Sequence, residues 1–365
     1  MDKPELPSSM NNELEKLYSN AVTVLTELIR LPSFSKEEER TAAFLAAYLS
    51  EKEVQVKRVG NNILALNRHF DNSRPTILLN SHHDTVKPNS AYTKDPFLPE
   101  ITEGKLYGLG SNDAGGSLVA LMMAFLHFHH QGNLRYNLAY AATAEEEISG
   151  SNGIQSTLEH LPPIDFAIVG EPTLLQMAVA ERGLMVLDCV ARGKAGHAAR
   201  EEGENAIYKA MADIEWFSHF QPGKVSEFLG PVKMSVTSIE TENKTHNIVP
   251  AECKYVVDVR VNELYTMEEL LAIIQQNVQS EVKPRSTRLK SSFIPLDHPL
   301  VEAGIRLGKA CYGSPTTSDK ALMPFPALKM GPGDSARSHT ADEFIYLNEI
   351  REGIDSYIAL LQQVL

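Results

Sequence analysis

The sequence predicts an α/β catalytic domain with a central, largely parallel sheet flanked by helices, interrupted by a smaller inserted α+β domain. Three observations predict it. Short apolar runs of strand length alternate with helical stretches over the first half of the chain. Near Val186 the pattern changes to strands grouped around two helices. The polar stretch Lys283-Pro284-Arg285-Ser286-Thr287 then ends that insert, and helix and strand signals resume. The expected boundaries are 1–180 for the first part of the catalytic domain, 181–289 for the insert and 290–365 for the second part.

Each element has its own signal. Residues 14–31 carry apolar side chains at helical spacing and stop before Pro32. Ser35-Lys36-Glu37-Glu38 has the form of a capping box and predicts a helix over 36–49. The runs 63–66, 77–79, 138–142 and 166–169 have the length of buried strands, and a long helix over about 114–130 lies between two of them. His127, His129 and His130 end that helix and are expected to be exposed. In the insert, 186–191, 232–239 and 254–261 read as strands, and 205–217 and 267–278 as helices. A helix over 301–310, a strand over 326–330 and a C-terminal helix from Ile350 complete the chain.

Composition narrows the function classes. The chain has 365 residues, of which 43% are hydrophobic, enough for a substantial core. The formal charge is -13, so no nucleic-acid partner is expected, because phosphate contacts need a basic surface. The longest apolar run, 118–126, is far too short to span a membrane, and the N-terminus lacks the basic-then-apolar form of a secretory signal. Cys189, Cys253 and Cys311 are odd in number and far apart, which fits reduced thiols in a cytoplasmic protein.

The chemistry is carried by acids and histidines at the ends of apolar runs, where ligands of open α/β sheets bind. Residues 76–80 lead into Ser81-His82-His83-Asp84. In extended chain His82 and Asp84 share a face and His83 takes the other. Gly108 to Gly116 resembles half of a dinucleotide fingerprint, but Asp113 stands where the last glycine should be and no strand precedes it. Its glycines instead allow a close backbone approach while Asp113 projects, with helix capping as the plain alternative. The strand ending at Thr143 runs into Glu145-Glu146-Glu147, where neighbouring carboxylates can divide metal binding from proton transfer. Glu171 follows the run 166–169, and His339 follows the last strand through Gly331-Pro332-Gly333. His, Asp, Glu, Glu and His with a spare Glu, and no thiolate, suit a two-metal hydrolytic site.

The segments SHHDTV, GLGSNDAGG, TAEEEISG, VGEPT and GPGDSARSHTADE, in this order, resemble the motifs of the M20-type metallopeptidases and deacylases. The resemblance covers nearly the whole chain. It implies a catalytic domain with an inserted lid that forms a homodimer, and two divalent metal ions, zinc first, with cobalt or manganese possible in its place. His82, Asp113 and Glu171 are implied to bind one ion, and Asp113, Glu147 and His339 the other. Glu146 is implied as general base and Asp84 as the group orienting His82. His197 in KAGH resembles a lid histidine that stabilises the oxyanion in the partner subunit's site. Asn247 in HNIVP and Arg260 in VDVR match positions that hold a substrate carboxylate, and Thr317 and Ser318 resemble a substrate loop. The implied reaction is hydrolysis of the amide bond of a small N-acyl amino acid. N-acetylornithine, in arginine biosynthesis, is the first expectation. N-succinylornithine, N-acetylcitrulline, N-acetyllysine and succinyl-diaminopimelate are alternatives, as is a dipeptidase or carboxypeptidase activity. Glu181 in AERG stands where the desuccinylases tend to carry an arginine.

Overall fold

The computed structural model describes residues 8–200, 202–221 and 223–365. It divides into two compact units. The larger holds the chain up to Val179 together with Ile294–Tyr312 and Ser318–Leu365, and the smaller holds Ala180–Phe293 with Gly313–Thr317. The short segment Gly313–Thr317, assigned from the sequence to the second catalytic part, thus clusters with the insert.

The larger unit is built on a mixed sheet whose central strands are mostly parallel. The order runs Val56–Val59, Asn62–Leu66, Asn137–Thr143, Thr76–His82, Phe166–Val169, Ala327–Lys329, Met177–Glu181. Thr76–His82 pairs in parallel with both Asn137–Thr143 and Phe166–Val169, and Ala327–Lys329 pairs in parallel with Phe166–Val169. The register sets His82 beside Thr143 and Asn80 beside Val169, which in turn lies beside Lys329. Four parallel strands therefore end at one rim. All seven residues of Thr76–His82 and of Asn137–Thr143 are buried, as strands covered on both faces require.

The helix Gly116–His129 is apolar on every side and packs against strand Thr76–His82 and against helices Ser8–Ile29 and Leu347–Val364. Leu118, Leu121, Met122 and Phe125 are fully buried, each contributing about 1.5–3 kcal/mol. This helix anchors the loop that carries Asp113.

In the smaller unit, four antiparallel strands run in the order Lys233–Glu240, Glu252–Val261, Gly183–Arg192, Glu281–Pro284. Gly183–Arg192 alternates buried and half-buried residues, and its buried face packs on helices Ala206–His219 and Met267–Asn277. Asn205 and Thr266 cap those helices, accepting from Ile207 N and Glu269 N.

Four local expectations are corrected. A strand, Lys105–Tyr107, does precede Gly108. Ser35 and Glu38 do not form a capping box. The helix is Glu39–Glu51 without a side-chain cap, because both side chains have partners elsewhere. Ser35 Oγ donates to Asp84, and Glu38 accepts from the main chain of Lys36 and Glu145. Asp113 does not cap the long helix, whose N-terminus begins after Gly115, so its carboxylate is left for other work. His129 is not exposed: it is buried, with its ring 5.4 Å from that of Phe125.

Candidate metal centre

The rim of the sheet gathers the predicted acids and histidines of the larger unit. His82, Asp113 and Glu171 each offer a ligand atom within 4.8 Å of one another, and so do Asp113, Glu147 and His339. Asp113 belongs to both groups. His82 is the last residue of its strand, and its Nδ1 lies 3.0 Å from the main-chain carbonyl of Asp84. That contact puts the hydrogen on Nδ1 and the lone pair on Nε2. Nε2 is buried without a hydrogen-bond partner and faces Asp113 at 3.4 Å, Glu171 at 3.8 Å and Glu146 at 3.9 Å. A lone pair buried among carboxylates is unfavourable unless a cation sits between them.

The charge balance says the same. Burial works against a proton on His82, yet Glu146, Asp113, Asp84 and Glu171 hold it well above its usual range. Burial raises the Glu146 carboxyl well above the ordinary carboxylate range. His82 opposes this, and Glu171, Asp319 and Glu147 reinforce it. His339, 3.0 Å from Glu147 and 3.6 Å from Asp113, is pushed up to about 9, chiefly by its hydrogen bond to Glu147. The cluster has excess affinity for positive charge, and its N/O donors with one shared carboxylate fit a pair of divalent ions.

Local structure assigns each neighbouring residue a task. Asp84 does more than face His82, whose Nδ1 is 3.5 Å from its carboxylate. The Asp84 carboxylate accepts Glu146 N at 3.0 Å, Glu147 N at 3.2 Å and Ser35 Oγ at 2.7 Å. It thereby fixes the turn carrying Glu146 and Glu147. Glu145 turns away with φ 55°, and its carboxylate accepts from Asn152 N and Nδ2. His83 also points away, bonded to Thr41 Oγ1 and the Asn61 carbonyl, and burial pushes it down to about 4. In the Asp113 loop, Gly110 has φ 75°, and a Cβ at Gly115 would run into the Gly110 carbonyl oxygen.

Asp319 was missed by sequence reasoning, which took Thr317 and Ser318 from the same loop. It is buried, accepts Thr143 Oγ1 at 2.7 Å, and burial pushes it up to about 6. Its signal was an acid inside the substrate-loop motif. Ser318 is buried in the larger unit.

His197, Asn247, Arg260 and Thr317 belong to the smaller unit. His197 is exposed, and its Nδ1 accepts Ala199 N at 3.2 Å, which leaves Nε2 as the donor. Asn247 is exposed, and its carbonyl accepts Ala198 N. Arg260 engages Asp258 through Nε at 2.7 Å and Nη2 at 3.0 Å. Thr317 Oγ1 donates to the Arg182 carbonyl. The Arg182 guanidinium itself donates to the carbonyls of Leu229, Pro231 and Arg260.

Acids and histidines gathered near the carboxyl ends of parallel strands, with Asp113 in both groups, could hold two metal ions and suit a hydrolase scaffold. The model of Peptidase family M20/M25/M40 matches residues 78–363, and the chain belongs to that family of hydrolases. Among its relatives, a succinyl-diaminopimelate desuccinylase 2 of Ruegeria sp. (strain TM1040) is 28% identical over 71% of this chain and 69% of that protein. A succinyl-diaminopimelate desuccinylase of Rickettsia bellii (strain RML369-C) is 26% identical over 94% and 96%. The Bacillus subtilis YXEP protein, a dinuclear metal binding peptidase, has the same fold, with a TM-score of 0.70 at 16% identity over 96% of this chain and 98% of that one. No described helix is long and apolar enough to cross a membrane.

Proposed function

We propose that the protein hydrolyses the amide bond of a small N-acyl amino acid at a two-ion centre held by His82, Asp113, Glu147, Glu171 and His339. The observation that carries this is the buried, unpartnered Nε2 of His82 facing three carboxylates. Zinc, cobalt and manganese all suit these donors. When bound, the ions supply Lewis acidity toward a water and the scissile carbonyl.

Glu146 takes a proton from the attacking water as its oxygen bonds to the amide carbon. It gives that proton to the leaving nitrogen as the C–N bond breaks. Its crowded setting supports this role by holding its carboxyl well above the ordinary carboxylate range, through burial and the neighbouring Glu171, Asp319 and Glu147. His197, with hydrogen on Nε2, serves as an oxyanion donor, reaching a partner subunit's site in a lid-mediated homodimer. Arg260 grips the substrate carboxylate with its Nη1 and Nη2 edge while Asp258 holds the other edge. Asn247, Thr317 and Ser318 complete the substrate contacts.

The names of the relatives make N-succinyl-diaminopimelate the first substrate to assay. N-acetylornithine, expected from the motifs, finds no support in those names and stands second. The experiment is turnover of metal-loaded protein on N-succinyl-diaminopimelate, N-acetylornithine, N-succinylornithine, N-acetylcitrulline, N-acetyllysine and dipeptides. Cleavage of one acyl amino acid far above the dipeptides is expected, and cleavage of dipeptides alone overturns the proposal.

A further inference from the structure

We propose that Glu343 is a positioning residue that clamps the main chain of the Asp113 loop, so that both metal subsites depend on it. The inference rests on the two-ion reading of the site.

The loop before the long helix closes a single π-type turn over Ser111–Gly115 and is otherwise irregular. Asp113 and Ala114 have non-helical backbone angles, and Gly110 is left-handed. Ser111 N and Gly115 N find carbonyls within the loop, those of Gly108 and Gly110. Glu343 takes four other donors. Its Oε1 accepts Asn112 N at 2.8 Å and Asp113 N at 2.9 Å. Its Oε2 accepts Gly110 N at 2.9 Å, and its main-chain carbonyl accepts Gly108 N at 3.0 Å. Glu343 is only 2% exposed, so water is a poor substitute for these bonds.

The clamp spans two candidate ligands. Glu343 lies four residues after His339, and the next residue, Phe344, pairs with Tyr107 across an antiparallel ladder. That pairing fixes where the carboxylate meets the loop. Asp113 belongs to both groups of candidate ligands, and His339 to one. A displaced Asp113 loop therefore weakens both subsites, whereas loss of His339 weakens one. A glutamine at 343 keeps the volume but sets an NH2 group against main-chain N–H groups. An aspartate keeps the carboxyl group and withdraws it by one methylene.

The test is competitive zinc titration of the full chain against a chromophoric chelator, with the amide proton shifts of Gly110, Asn112 and Asp113 read by NMR. Glu343→Gln is expected to weaken both ions together by about 10–100-fold, as loss of a partner that orients a metal ligand typically does. The three amide signals are expected to move upfield, and Glu343→Asp to give a smaller loss of the same kind. His339→Ala is expected to weaken one ion only. Should Glu343→Gln fail to fold, Glu343→Asp carries the same comparison. Two wild-type affinities and unmoved amide signals in the variants overturn the clamp, as does loss confined to one ion. A wild-type chain that takes up no pair of ions sinks the metal reading, while the amide shifts still decide the clamp.

Discussion

Replacing Asp84 by asparagine tests how the strand end at His82 governs the Glu146-Glu147 turn. The carboxylate accepts Glu146 N through Oδ1, and Glu147 N and Ser35 Oγ through Oδ2. An asparagine oxygen can retain Glu146 N, and the Ser35 hydroxyl can rotate to accept from the new NH2. Glu147 N then faces a donor, and charge assistance is lost throughout. A hydrogen bond to a charged group contributes roughly 1.5–3 kcal/mol. Losing one and weakening another predicts destabilisation of about 2–4 kcal/mol. Denaturant titration of the metal-free chain should show a lower midpoint with an unchanged slope. Calorimetric zinc titration should show affinity reduced by about 10–100-fold, most at the subsite holding Glu147. An asparagine variant within about 0.5 kcal/mol of the parent, the range of a neutral surface change, with both zinc affinities intact, would refute the reasoning.

Two further outcomes are expected. Glu146→Gln should bind both ions yet lose about 10²–10⁴-fold in turnover, measured at saturating substrate; full activity would show that another group moves the proton. His129, held down to about 4 by burial with help from His130, Arg68 and His69, should make the fold acid-labile. Its folded pKa lies below the unfolded value of about 6.5, so its contribution is present above that pH and is lost as the pH falls toward 4. The difference is at most about 3 kcal/mol. His129→Phe should flatten the stability profile between these pH values in chemical denaturation, and an unchanged profile would contradict the assignment.

Most of the fold was legible because its strands are uniform. Thr76–His82, Asn137–Thr143 and Phe166–Val169 are buried on both faces, and each carries an apolar run, over 77–79, 138–142 and 166–169. Their parallel pairing puts their last residues at one rim, which is why acids and histidines after apolar runs could be read as one site. Long-range partners were hidden. Ser35 and Glu38 have the spacing of a capping box, but bind groups 49 and 107 positions away. Glu145 looks like its two neighbours in sequence, and only its left-handed backbone diverts it to Asn152. Asp319 and Glu343 act through burial and register, which a local pattern does not encode. His129 follows a polar pattern at the end of an apolar helix, yet the 3.0 Å bond from Arg68 N to its carbonyl folds the chain over it.

The most direct test is anomalous diffraction at the zinc edge from zinc-soaked crystals. Two peaks about 3.5–4 Å apart are expected, one beside His82 and Glu171, the other beside Glu147 and His339, both within reach of Asp113. A single peak, or peaks away from these side chains, would contradict the two-ion reading.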